Sequence, residues 1–97
     1  ITEDGSSVVV TNNGYFVLFP NPSSAGGELS IYLNALDPNN GEVSLIFYSM
    51  DGKLVKKSLL STDKGTYMLD NNLARGMYEV ALVQGGKFLQ SEKLIIQ

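Results

Sequence analysis

The chain has 97 residues, of which 43% are hydrophobic and 18% are charged, a length and composition typical of one small globular domain. Its net charge of −3 and its seven scattered basic residues argue against nucleic-acid binding or attraction to an anionic membrane, both of which need clustered lysine and arginine. It has neither cysteine nor histidine, which excludes disulfides and zinc–thiolate sites and leaves carboxylates, lysine and hydroxyl groups as the only catalytic material.

Short apolar runs bounded by turn residues fill the first half of the chain. The predicted strands there cover residues 6–11, 15–19, 28–34 and 42–48. Alternation places Leu29, Ile31 and Leu33 on one face of the third strand. The prolines of "FPNP" (19–22) end the second strand, because each lacks an N–H and restricts the residue before it. We expect the chain to cross between sheets at this break.

The second half continues the same pattern. The predicted strands there cover residues 53–60, 66–69, 76–83 and 87–96. Asp51-Gly52 between two apolar runs predicts a hairpin turn, and "DNNLARG" (70–76) reads as a polar connection with one apolar plug, Leu73. Glycines 52, 76, 85 and 86 fit turn positions that need positive φ. No stretch has the spacing of an amphipathic helix or the length of a membrane span. The sequence therefore predicts an all-β antiparallel sandwich of seven or eight short strands.

No group of residues forms a recognisable catalytic or metal site. Asp51 is better explained as a turn former than as an acid, and its "DGK" lacks the repeated oxygen ligands of a calcium loop. No serine has a histidine partner or lies in a Gly-x-Ser-x-Gly elbow. We therefore expect no enzyme activity, no cofactor and no metal. Tyr32 and Tyr48 alternate with core positions, so a row of exposed aromatic side chains could bind sugar, although cross-strand aromatic pairs are ordinary in sheets.

Five motifs, taken in order, resemble the type A C-terminal sorting domain of the type IX secretion system. They are "FPNP" (19–22), "GELSIYL" (27–33), "EVSLIFYSMDGKLV" (42–55), "LDNNLARGMYEVALVQGGK" (69–87) and "KLIIQ" (93–97). Ser49 departs from the family pattern, which commonly has aspartate after the tyrosine. The resemblance covers roughly residues 18–97.

The resemblance implies an immunoglobulin-like sandwich over residues 15–97, preceded at 1–14 by a linker with a short strand. The domain would direct an attached N-terminal cargo through the outer membrane, by way of the periplasm, to the cell surface or the medium. Its partners would be an outer-membrane translocon and a sortase-like peptidase that removes it, with "TEDGSS" (2–7) as a candidate cleavage segment. No nucleic acid and no direct membrane insertion are implied. The alternative function is a non-catalytic carbohydrate-binding or spacer module of a surface or secreted enzyme.

The same resemblance assigns two groups of residues. Recognition of the signal is expected at Lys93, Leu94, Ile95, Ile96 and Gln97. Residues of the family motifs with a structural role are expected at Pro20, Asn21, Pro22, Asp51, Gly52, Lys53, Leu73, Gly76, Tyr78 and Gly86. In the last strand we expect Leu94 and Ile96 to face inward together with Phe88. A receptor could then capture the strand by strand addition or hold a terminal carboxylate with N–H donors.

Overall fold

The computed structural model describes residues 14–97. The predicted strand at 6–11 and the candidate cleavage segment at 2–7 lie outside the described residues. Seven strands and one short 3-10 helix follow in chain order. They are β1 (Phe16–Phe19), β2 (Leu29–Leu33), the 3-10 helix (Pro38–Asn40), β3 (Val43–Ser49), β4 (Leu54–Leu60), β5 (Gly65–Leu69), β6 (Gly76–Gln84) and β7 (Lys87–Ile96).

The strands form two antiparallel sheets. One has the order β1-β2-β5 and the other the order β4-β3-β6-β7. Alternate residues of both sheets meet in one core, because successive side chains of a strand point to opposite faces. The predicted inward positions are confirmed: the core includes Leu29, Ile31, Leu33, Val43, Leu45, Phe47, Tyr78, Val80 and Leu82. The predicted all-β sandwich is therefore correct, with seven strands in the described part of the chain.

The connection before β6 carries a hallmark of immunoglobulin-like domains. Tyr78, near the start of β6, is buried, and its hydroxyl donates a hydrogen bond of 2.5 Å to the Ala74 carbonyl oxygen. This is the arrangement known as a tyrosine corner, in which the hydroxyl fixes the chain a few residues upstream. Leu73 is buried in the same connection, as predicted for its only apolar plug. The immunoglobulin-like expectation is confirmed.

A close approach of two turns closes one end of the sandwich. Gly85 and Gly86 join β6 to β7, with φ angles of 59° and 81°, as a two-residue hairpin with two positive φ angles requires. The Gly85 N–H donates to the Glu42 carbonyl oxygen at 2.9 Å. A Cβ on Gly85 would overlap the carbonyl oxygen of Asn40, so this contact needs glycine for its lack of a side chain as well as for its φ. The positive φ angles predicted at Gly52 and Gly76 are also present.

Two expectations are wrong, one about the path of the chain and one about the face on which a side chain lies. The "FPNP" break does not join a strand of one sheet to a strand of the other, because β1 and β2 on either side of it pair with each other in the same sheet. Phe88 does not face the core, since it is 60% exposed. The pairing of β6 with β7 shifts register between Leu82 and Val83. This bulge adds one residue to β7 and reverses the alternation, so that Leu89, and not Phe88, packs against the core.

Candidate functional site

The five residues assigned to recognition lie at the end of β7. We call residues 93–97 the terminal segment. Leu94 and Ile96 are 0% and 2% exposed and belong to the core, as predicted. Ile95 is half-buried on the opposite face, and Lys93 is exposed there beside Glu79 of β6. The terminal segment thus anchors itself with two side chains and presents others on the outer face of the four-stranded sheet.

The outer edge of the terminal segment is covered by residues 21–25, which we call the covering segment. The side chain of Asn21 bonds to two main-chain groups of β7: its Nδ2 donates to the Lys93 carbonyl oxygen at 2.7 Å, and its Oδ1 accepts from the Ile95 N–H at 3.1 Å. One primary amide therefore takes the place of a peptide group from a neighbouring strand. Pro20 and Pro22 have no main-chain N–H to donate, so the side chain of Asn21 between them makes the hydrogen bonds to β7 at this point.

Main-chain hydrogen bonds continue the pairing beyond Asn21. The Ser23 N–H donates to the Ile95 carbonyl oxygen at 2.8 Å, and the Gln97 N–H donates to the Ser23 carbonyl oxygen at 2.7 Å. The Ala25 N–H donates to the Gln97 oxygen at 2.9 Å. The resulting bridge between Ser23 and Ile96 is parallel. The chain therefore leaves the three-stranded sheet after β1, pairs with the edge of the other sheet, and returns to form β2.

The covering segment is itself held in place. Ser23 is buried, and its hydroxyl donates to the Pro20 carbonyl oxygen. The Asn71 side chain donates to the carbonyl oxygens of Ser24 and Gly27 at 3.1 and 3.0 Å. These contacts explain where the motif residues Pro20, Asn21 and Pro22 lie: all three are exposed, at the edge of the sandwich next to the terminal segment.

This arrangement bears on one of the two modes of capture expected for the last strand, which is strand addition. Strand addition needs main-chain N–H and C=O groups that point away from the sheet without partners. The outward groups of Ile95 and Gln97 are already bonded within the chain, as is the Lys93 carbonyl oxygen. A receptor could add a strand here only by displacing the covering segment. Side chains, and not the main-chain edge, are what the terminal segment exposes.

The first half of β7 is joined to the other sheet by a second amide. Gln90 Nε2 donates to the Phe16 carbonyl oxygen at 3.1 Å, and its Oε1 accepts from the Tyr15 N–H at 2.5 Å. Gln90 lies on the inward face of β7, where a groove separates β7 from β1. The sequence pattern did not mark Gln90 or Ser23 as important. No local spacing could have done so, because the hydrogen bonds that join Gln90 to Phe16 and Ser23 to Ile95 span more than 70 residues of the chain.

The hairpin between β3 and β4 contains three of the structural motif residues, Asp51, Gly52 and Lys53. The Ser49 N–H donates to the Lys53 carbonyl oxygen and the Gly52 N–H donates to the Ser49 carbonyl oxygen, each at 2.9 Å. The Ser49 hydroxyl donates to Asp51 Oδ1, and this hydrogen bond is the main reason why the pKa of the Asp51 carboxyl lies below its usual value. Lys53 Nζ lies 3.9 Å from Asp51 Oδ2, and both side chains are well exposed. The geometry is that of a turn, as predicted for Asp51-Gly52.

The two tyrosines considered for sugar binding do not share a surface. Tyr32 lies on the outer face of the three-stranded sheet, opposite Val17 and Thr66. Tyr48 lies on the outer face of the four-stranded sheet, opposite Glu79. Both are half-buried. Because the two faces look in opposite directions, these two rings cannot bind one sugar chain side by side.

The described residues offer little for metal chemistry. Within residues 14–97, no group of three or more acidic residues is placed to hold a metal ion. Over the same range, no helix has both the length and the apolar character needed to cross a bilayer.

The model of the family described as "Secretion system C-terminal sorting domain" matches residues 17–97. Among solved structures, the chain is similar to an immunoglobulin-like protein from Pseudomonas aeruginosa at 11% sequence identity and a TM-score of 0.49, with 86% of this chain and 90% of that chain covered. No curated protein matches the chain significantly. The family match includes both the covering segment and the terminal segment.

Proposed function

The chain belongs to the secretion system C-terminal sorting domain family, and we propose that it directs an attached cargo polypeptide across the outer membrane by the type IX secretion system. The family and the immunoglobulin-like fold point to a non-catalytic module. In this proposal the domain is the ligand of a translocon and the substrate of a sortase-like peptidase that removes it at the cell surface. Cleavage would fall at "TEDGSS" (2–7) within the linker, residues 1–14, and the folded domain would be residues 15–97.

The observation that supports this proposal best is the fixed geometry of the terminal segment. Burying two large aliphatic side chains, Leu94 and Ile96, stabilises the segment by about 3–6 kcal/mol, and five hydrogen bonds join it to the covering segment. A receptor therefore meets a docked strand and not a loose peptide. Docking in advance lowers the entropic cost of binding, because the recognised side chains are already ordered.

Within the terminal segment, we infer that the receptor reads the outward side chains Lys93, Ile95 and Gln97. Leu94 and Ile96 would contribute indirectly, by holding the segment in the core. The structural motif residues, from Pro20 to Gly86, would act in the same indirect way through the fold.

The test is a reporter protein with an inner-membrane export signal, fused to the N-terminal side of residues 1–97 and produced in a bacterium with a type IX system. The fusion should reach the cell surface or the medium, whereas the reporter without the domain should stay in the periplasm. Deleting residues 93–97 should also leave it in the periplasm. Because that deletion removes part of the core, a second variant is needed that leaves the core intact.

The second variant changes only outward side chains. Lys93→Glu combined with Ile95→Thr should lower surface delivery, since both positions lie on the outer face. The matched control is Lys87→Glu combined with Val83→Thr, which makes the same charge reversal and a similar aliphatic-to-threonine change farther along the same sheet. If both double variants are as stable as the parent and are delivered equally well, recognition by these side chains is wrong. If the parent fusion itself stays in the periplasm, the sorting function is wrong.

A further inference from the structure

Within residues 14–97, β4 is an edge strand with no covering segment. Among residues 14–97 it pairs only with β3 and forms one end of the four-stranded sheet. The opposite end strand of that sheet, β7, has its terminal edge closed by residues 21–25. β4 is seven residues long, and three of its apolar side chains, Leu54, Val55 and Leu59, are 57%, 45% and 63% exposed. Such an edge is a template for strand addition.

The direction of the main-chain groups of β4 follows from the pairing of the sheet. In an antiparallel ladder a residue directs its N–H and C=O to one neighbouring strand, and the next residue directs both to the other. Ile95 directs both groups away from β6, to the covering segment. The same alternation can be carried from Ile95 across the paired residues of β6 and β3 to β4. It places the N–H and C=O groups of Lys57 and Leu59 on the side of β4 that faces away from β3. An added strand would meet donors and acceptors at these two residues.

The side chains beside this edge set the chemistry of the added strand. Leu59 and Lys57 lie on the outer face, directly across from Ser44 and Ile46 of β3. Leu54 lies across from Tyr48 on the same face. An added strand with apolar residues would therefore cover part of the exposed surface of Leu54 and Leu59, and a carboxylate on it would suit Lys57 between them.

A second copy of this chain fits the edge poorly. When a seven-residue strand pairs with itself around a two-fold axis, the register with the most pairs is centred on its middle residue, which is Lys57. The two lysines would then lie directly opposite each other, and like charges in that position are destabilising. A different chain with an acidic residue at this point would avoid this repulsion.

We propose that β4 is a strand-addition site for an extended segment of the export receptor, which places a carboxylate opposite Lys57 and apolar side chains beside Leu54 and Leu59. This inference depends on the proposed sorting function. It adds a second contact, on the edge of the sheet opposite to the terminal segment.

The experiment uses the same reporter fusion. Lys57→Glu should reduce delivery to the surface about two- to tenfold, because it turns one cross-strand attraction into a repulsion. The matched control is Lys64→Glu, in the exposed turn after β4, which makes the same change in net charge. Leu59→Pro removes one outward N–H, a change that an edge strand tolerates on its free side, and should reduce delivery as well. Thermal unfolding of the purified chain checks that each variant folds.

The outcomes separate this proposal from the one it depends on. If the parent fusion and Lys57→Glu are delivered equally well, the edge proposal is overturned and the sorting function stands. The role of Lys57 is then limited to preventing aggregation through the edge strand. If the purified chain forms a dimer that Leu59→Pro abolishes, the edge belongs to a second copy and the proposal is also overturned. If the parent fusion is not delivered, both proposals fall. A loss in Lys57→Glu without a loss in Lys64→Glu supports the proposal, even where Leu59→Pro fails to fold.

Discussion

Asn21 is the residue whose replacement tests the closure of the terminal strand most directly. Its side chain makes two hydrogen bonds to β7, at 2.7 Å to the Lys93 carbonyl oxygen and at 3.1 Å from the Ile95 N–H. Asn21→Ala removes both and leaves Pro20 and Pro22 unchanged. We expect the domain to fold but the end of β7 to open more often, because the covering segment then keeps only its bonds from Ser23 onward.

The size of the effect follows from the exposure of these bonds. A protein hydrogen bond contributes about 0.5–1.5 kcal/mol net, so two contribute about 1–3 kcal/mol. Asn21 is exposed, and water can replace part of what is lost, so we expect the free energy of unfolding to fall by about 1–2 kcal/mol. For a domain of this size each kcal/mol lowers the melting temperature by about 4–8 °C.

Two measurements check this prediction. Urea denaturation gives the change in the free energy of unfolding, and hydrogen exchange followed by NMR gives the local effect. The amide protons of Ile95 and Gln97 should exchange faster in Asn21→Ala, because the first loses its acceptor and the second depends on the covering segment. The control is Asn72→Ala, since Asn72 is an exposed asparagine in the connection before β6.

An unchanged free energy of unfolding, together with unchanged exchange at Ile95, would refute the reasoning that Asn21 stands in for a strand neighbour. An equal loss in Asn72→Ala would also refute it, because the effect would then belong to asparagine in any exposed loop.

Three further predictions concern the fold. Ser49→Ala should raise the pKa of Asp51 toward its usual value in an NMR titration. In the parent protein this pKa is lower in the folded state than in the unfolded state. The ionised Asp51 carboxylate therefore stabilises the fold above the pKa of the unfolded chain, and this stabilisation is lost as the pH falls through the lower pKa of the folded state. Gly85→Ala should destabilise the domain by about 2 kcal/mol or more and Gly86→Ala by about 1 kcal/mol in urea denaturation, since both need positive φ but only the first would overlap a neighbouring carbonyl oxygen. Tyr78→Phe should keep the fold and lose about 1–2 kcal/mol with its hydroxyl hydrogen bond.

Each of these has a clear contrary result. An Asp51 pKa that does not move in Ser49→Ala would show that the serine hydroxyl is not its main cause. Equal losses for the two glycine variants would mean that φ, and not the close approach, sets the cost. A Tyr78→Phe protein as stable as the parent would mean that the tyrosine corner contributes no net stability.

Local sequence was enough to predict the fold class and most of the core. Alternation along β2, β3 and β6 identifies their inward faces, because a strand has a period of two and only one of its faces is buried. Turn chemistry located the hairpin at Asp51-Gly52 and the plug at Leu73. The alternation rule failed at Phe88, because a bulge depends on how the partner strand pairs and cannot be recognised in a short alternating run.

The sequence by itself also determined that the last residues form a strand with Leu94 and Ile96 in the core. Only the tertiary structure decided which edges of the sandwich are closed. Asn21 and the terminal segment are more than 70 residues apart in the chain, and no periodic pattern connects an exposed amide to main-chain groups at that distance. Edge closure is a property of how the two sheets stack and where their connections run. It therefore appears only when the whole chain is folded.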